Sequence, residues 1–130
     1  MDIRVRQTAG VIILDLSGKV DVNSANFIEA IGDCLREGYF DFLCNFSEVD
    51  FIDYIGVSVL VVAYKEVVNH KGRMKFSAVG QHLRGVFAVA GLDKVIEIIE
   101  DEDQAIRSFA EDKAISEIQK LQLRRRFKRL

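Results

Sequence analysis

The chain lacks proline altogether and contains only two cysteines among its 130 residues. The absence of proline and a hydrophobic content of 49% indicate one globular domain, since domains of about 100 to 150 residues are common and bury a single core. Cys34 and Cys44 lack the close spacing of a redox or zinc motif. We therefore expect two reduced, packed thiols rather than a disulfide or a metal site.

Signals for membranes and nucleic acids are also missing. No apolar run approaches the roughly 18 residues of a membrane span, and residues 1–6 alternate like a strand instead of forming a signal-peptide core. A formal net charge of −2 gives no overall attraction to nucleic acid. The sequence therefore predicts a cytoplasmic protein with no DNA partner.

The sequence contains no enzyme signature. There is no Gly-x-x-x-x-Gly-Lys loop to cradle a phosphate, no serine nucleophile elbow and no zinc motif. Asp50 and Asp53 are three residues apart, but capping of a helix explains Asp53 without a substrate. His70 and His82 have no second ligand at metal spacing and are expected at the surface. We expect neither catalysis nor a cofactor.

Hydrophobic periodicity predicts alternating strands and helices. Strands are predicted at residues 3–5, 11–16, 40–46, 74–79 and 95–99. Helices are predicted to begin near Asn23 or Ser24, at Asp53, just before Leu83, and at the acidic cluster 100–103. Because parallel strands need helical crossovers, this order predicts an α/β fold with a mixed sheet of four to five strands and about four helices.

The stretch from Val49 to Gly56 is the most informative part of the chain. It closes an apolar strand with a turn and opens a long helix, where Asp53 is placed to cap the unpaired amides of the first turn. The turn therefore lies at the positive end of a helix. Tyr54 and Ile55 place bulky side chains there.

Residues 53–58, Asp-Tyr-Ile-Gly-Val-Ser, resemble the Asp-Ser-Ser-Gly-Leu-Gly turn of the STAS family, which is named for sulphate transporters and anti-sigma factor antagonists. Residues 16–21 resemble the Gly-x-Leu-Asp turn of that family, and residues 90–95 its Gly-Leu-Asp junction. The resemblance covers about the first four-fifths of the chain. It implies a STAS-type fold over residues 1–112, followed by a basic helical extension at 113–130.

The resemblance also implies a function. In the bacterial anti-sigma factor antagonists a partner kinase phosphorylates the second serine of the turn, and the counterpart here is Ile55, which has no hydroxyl. The implied protein is a non-catalytic regulator in partner switching, unphosphorylated at that position, whose partner is an anti-sigma factor serine kinase or another signalling domain. The expected contact residues are Asp21, Asp53, Tyr54, Ile55, Gly56 and Ser58.

The sequence leaves three questions open. The same turn could dock on an ATPase if the chain were the cytoplasmic STAS subunit of a membrane lipid-transport ABC complex. The second helix is apolar nearly all round at 57–63, which fits either a helix sandwiched in the core or an exposed patch for a partner. The basic end at 124–130 fits a solvated helix terminus, or contact with an anionic membrane, an acidic partner or RNA. A homo-oligomer formed through Leu121, Leu123, Phe127 and Leu130 is the remaining option for that end.

Overall fold

The computed structural model describes residues 1–128, so that Arg129 and Leu130 of the predicted basic end lie outside the described residues. The elements are β1 (Asp2–Thr8), β2 (Val11–Val20), α1 (Ala25–Arg36), β3 (Asp41–Ile52), α2 (Tyr54–Asn69), β4 (Arg73–Ser77), α3 (Gln81–Ala90), a 3₁₀ turn (Leu92–Lys94), β5 (Ile98–Ile99) and α4 (Glu102–Lys128).

The five strands form one sheet in the order β1-β2-β3-β4-β5. β1 and β2 make an antiparallel hairpin, and all later pairings are parallel, with Ile12 beside Phe42 and Cys44 beside Phe76. Parallel neighbours require a return path across the sheet, which the helices supply. The predicted α/β fold with a mixed sheet and four helices is confirmed.

Both faces of the sheet are covered. Alternate residues of a strand point to opposite faces, so Leu14 and Leu16 join the large core under α1, α2 and α3. Val11 and Ile13 point the other way, into a smaller cluster with Phe109 of α4. The first three helices therefore lie on one side of the sheet and α4 lies on the other.

The apolar helix α2 was expected to be either a helix enclosed in the core or an exposed patch for a partner. It packs against the sheet and against α1, and its fully enclosed side chains include Leu60, Ala63 and Val67. Val62 and Val68 remain about half exposed, at 49% and 46%. The helix is thus mainly a core element. Within residues 1–128, no helix combines the length and the apolar character needed to cross a bilayer.

The bounds of all five strands differ from those predicted, and the reasons are clearest for β3 and β5. β3 continues to Ile52 because its outer half keeps pairing with β2, through Val49 beside Gly18 and Ile52 beside Val20. β5 is only two residues long. The segment before it forms a helical turn, in which the Ile96 amide donates a hydrogen bond to the Leu92 carbonyl at 2.9 Å.

The two cysteines are free and differ in environment. Desolvation raises the pKa of the fully buried Cys44 thiol. Partial burial, helped by the negative charges of Glu37 and Asp33, also raises the pKa of Cys34. Because only the thiolate reacts, both shifts slow labelling at a given pH.

We expect a thiol reagent at pH 8 to modify one cysteine in the native protein, Cys34, more slowly than it modifies a free thiol. Cys44 should react only after denaturation, since its side chain is inaccessible. Peptide mapping after timed labelling measures both rates. Equal labelling of the two thiols in the native state would contradict the burial of Cys44.

Candidate functional site

The turn between β3 and α2 is built around Asp53. The residue is extended, with φ −115° and ψ −175°, and its Oδ1 accepts a hydrogen bond from the Gly56 amide at 2.8 Å. Its carbonyl accepts from the Val57 amide at 2.9 Å. Asp53 is thus the predicted N-cap, and its carboxylate satisfies an amide that the first helical turn would otherwise leave unpaired.

Gly56 brings α2 against the end of β2. A Cβ built at this position would lie 2.0 Å from the Val20 carbonyl oxygen, far inside van der Waals contact. The Val20 carbonyl also accepts a hydrogen bond from the Asp53 amide at 3.3 Å. Gly56 itself is buried, so it shapes the site and offers no surface of its own.

This contact with β2 places Asp21 beside the turn. Asp21 is half-buried, and its Oδ1 accepts from the Asn23 amide at 2.9 Å. Its own amide donates to the Ser24 Oγ at 2.9 Å. The two predicted aspartates therefore hold two neighbouring loops in shape, one before α1 and the other before α2.

Three predicted residues at the start of α2 face solvent. Tyr54 is 90% exposed and Ile55 is 50% exposed. Ser58 is also exposed, but its Oγ donates to the Tyr54 carbonyl at 3.1 Å. The turn thus presents two apolar side chains, together with a hydroxyl already engaged by its own helix.

An apolar groove of about 630 Å³ runs beside this turn. The sequence analysis did not predict the α3 residues that form one of its two walls. One wall comes from the end of β3 and the start of α2, and the other from α3. The lining residues are Ile52, Asp53, Tyr54, Val57, His82, Gly85, Val86, Val89 and Ala90. Val89 is 89% exposed, and this unusual exposure of a valine follows only from how α3 packs.

Two further apolar side chains are exposed at this end of the sheet. Val22 follows the end of β2 and is 63% exposed, and Phe51, which pairs with Lys19 near the end of β3, is 43% exposed. Phe51 points to the other face of the sheet, because its neighbour Ile52 lines the groove. Exposed apolar groups gathered at one end of a fold, next to shape-determining carboxylates, suit the docking of another macromolecule.

The chain resembles known proteins in sequence. A family model described as the STAS domain matches residues 2–105. The anti-sigma-B factor antagonist of Bacillus subtilis (strain 168) is 26% identical over 98 residues, which are 75% of this chain and 90% of that protein.

Solved structures share the fold. An anti-sigma factor antagonist from Mycobacterium paratuberculosis superposes with a TM-score of 0.72 at 23% identity, covering 82% of this chain and 92% of the other. A sulfate transporter family protein from Wolinella succinogenes gives a TM-score of 0.70 at 20% identity, with 85% and 90% covered. At these identities the superpositions show a common fold and nothing finer.

Proposed function

Because this chain belongs to the STAS domain family, we propose that it is a non-catalytic, protein-binding regulator of the anti-sigma factor antagonist type. It acts in the cytoplasm by partner switching, and its partner is an anti-sigma factor serine kinase or another signalling domain. The similarity to the Bacillus subtilis anti-sigma-B factor antagonist supports this general kind of function.

One observation carries the proposal: the position at which the resemblance expects a phosphorylated serine holds Ile55, half exposed in the first turn of α2. A hydrocarbon side chain has no hydroxyl that a kinase could phosphorylate, so it cannot carry the charge of about −1.5 to −2 that a phosphate brings. Partner binding at this turn is therefore not controlled by phosphate on residue 55.

The proposed contact surface combines the capped turn with the groove. Tyr54, Ile55 and Val89 supply apolar area, and Ser58 lies at the edge of the turn. Asp21 and Asp53 hold the two loops in place through hydrogen bonds to backbone amides. Gly56 lets α2 approach β2 closely enough to complete the site.

A charge introduced at position 55 tests this surface. Ile55→Asp should weaken binding to the isolated partner by at least about 30-fold, since an unpaired carboxylate would be buried on association, a cost of about 2 kcal/mol. The partner is first captured by affinity purification and identified by mass spectrometry. Its affinity for the wild type and the variant is then measured by calorimetry.

Val68→Asp is the matched control, because Val68 lies on the same helix with nearly the same exposure, 46% against 50%, but near its far end. It should bind like the wild type. Equal affinities of wild type and Ile55→Asp would exclude the turn as the contact site. Identification of the partner as an ATP-binding transporter subunit would favour the lipid-transport alternative. Phosphate on Ser58 that releases the partner would contradict regulation without phosphate.

A further inference from the structure

Helix α4 has two parts with different surroundings. Its 27 residues span about 40 Å, and only the first part rests on the sheet, where Ala105 and Phe109 are buried. From Glu117 to Lys128 every residue is exposed. A helical segment of this length gains little stability in water from its own hydrogen bonds, so a packing neighbour would stabilise the second part.

Polar contacts mark where the docking of α4 on the sheet ends. Lys75 of β4 is 4% exposed, and its Nζ donates to Ser108 Oγ and Asp112 Oδ2, both at 2.7 Å. Lys113 forms the next contact, at 2.7 Å to Asp41 Oδ2. These contacts dock α4 on the sheet as far as Lys113, and the later residues extend beyond the docked part.

The projecting part carries an apolar stripe on the side away from the sheet. Ile118 follows Phe109 by two and a half turns, which is a rotation of about 180° about the helix axis. Ile115, Ile118 and Leu121 lie within an arc of about 120°, with exposures of 55%, 55% and 54%. Solvated aliphatic side chains at helical spacing are typical of a helix that pairs with another helix.

The charges along α4 favour a second copy of the same helix, in antiparallel orientation. The middle of α4 carries Glu111 on the side of the apolar stripe, whereas the projecting end is basic, at 124–126 and Lys128. An antiparallel second copy would set each basic end beside Glu111 of the other copy. A parallel copy would oppose like charges.

The symmetry of the stripe gives the register. Glu111 precedes Ile118 by seven residues and Arg125 follows it by seven, so both lie on the same side of the helix as Ile118. With the two copies crossing at Ile118, Glu111 opposes Arg125, and Ile115 opposes Leu121. Neither Glu111 nor Arg125 has a salt-bridge partner within residues 1–128.

We propose that this chain forms a homodimer in which two α4 helices pair antiparallel about Ile118. The interface is isologous, as two-fold symmetry requires. α4 lies on the opposite side of the sheet from α1, α2 and α3, so the dimer leaves the groove of each copy free for its partner. The inference is independent of the proposed function.

The arrangement of basic residues disfavours a membrane as the occupant. Arg124, Arg125 and Arg126 are consecutive, so they point to three different sides of the helix. A helix lying on a bilayer instead gathers its apolar residues on one face and its cations on the other. Here Arg125 lies on the apolar side itself, in line with Ile118, so the cations do not form a separate face.

Sedimentation equilibrium of the full chain tests the dimer. The wild type should approach twice the monomer mass of 14.7 kDa as concentration rises. Ile118→Glu should remain at the monomer mass, since two carboxylates would meet at the two-fold axis. Leu123→Glu is the matched control because Leu123 is as exposed, at 53%, but lies outside the stripe. It should dimerise like the wild type.

A charge exchange tests the antiparallel register. Glu111→Arg alone should weaken the dimer, and adding Arg125→Glu should restore it, because the opposing charges are then swapped. A wild type that stays monomeric at all concentrations would overturn the proposal. Loss of the dimer in Leu123→Glu to the same extent as in Ile118→Glu would also overturn it. Failure of Arg125→Glu to restore the dimer, or binding to anionic vesicles by a wild type that does not dimerise, would do the same.

Discussion

Replacing Phe87 by alanine should lower the free energy of unfolding by about 3–5 kcal/mol, the usual loss for a phenylalanine removed from a core. Phe87 has no exposed surface, and its ring lies 5.5 Å from the rings of Phe46 and Phe76, measured between centroids. The substitution removes these aromatic contacts and leaves a cavity that the surrounding strands cannot fill.

The loss should affect the groove as well as stability. Only Leu83 and Phe87 are buried in α3, so the helix would keep one of its two anchors on the sheet. Urea unfolding followed by circular dichroism measures the loss. Phe127→Ala, at a phenylalanine that is 65% exposed, should change stability by less than about 0.5 kcal/mol. Equal losses in the two variants would contradict the aromatic cluster.

Gly56→Ala should cost about 2–4 kcal/mol, although alanine is the better helix former. The added methyl carbon would sit 2.0 Å from the Val20 carbonyl oxygen and 2.6 Å from the Val20 carbonyl carbon. Because both atoms belong to the backbone of a central strand, neither can rotate away. The start of α2 must therefore shift, with loss of the hydrogen bond from the Asp53 amide to Val20.

Gly85→Ala provides the matched control for this substitution. Gly85 also lies in a helix, but a Cβ there meets no atom within 4 Å. The change should raise the free energy of unfolding by about 0.5–1 kcal/mol, since alanine loses less backbone entropy on folding. Thermal unfolding of the two variants side by side gives the comparison. Stabilisation by both would show that the turn tolerates a side chain.

Features encoded within a few residues were predictable from the sequence. The Asp53 cap joins residues three apart, and the left-handed Gly91 after α3, with φ 76°, ends a helix in the expected way. The alternation of strands and helices predicted the mixed sheet. The turn at 53–58 led to the family, and Tyr54 and Ile55 are exposed there.

Features that depend on residues far apart in the chain were not predictable. Gly56 was expected to let backbones approach, but the identity of the approaching segment, Val20 at the end of β2, came only from the structure. The α3 wall of the groove arises because the helix is anchored through Phe87, which leaves Val89 in solvent. The observed strand, Ile98–Ile99, is shorter than the predicted strand at 95–99 because Leu92 and Ile96 belong to one helical turn in the core.

The sequence alone therefore determined the element order, the capped turn and the absence of a hydroxyl at residue 55. Tertiary structure alone decided which of these residues meet. It assembled the groove from two separate elements and set α4 on the far side of the sheet through Lys75 and Asp41. The reason is physical: caps and periodicities arise from neighbouring hydrogen bonds, whereas grooves and docked helices arise from packing between distant segments.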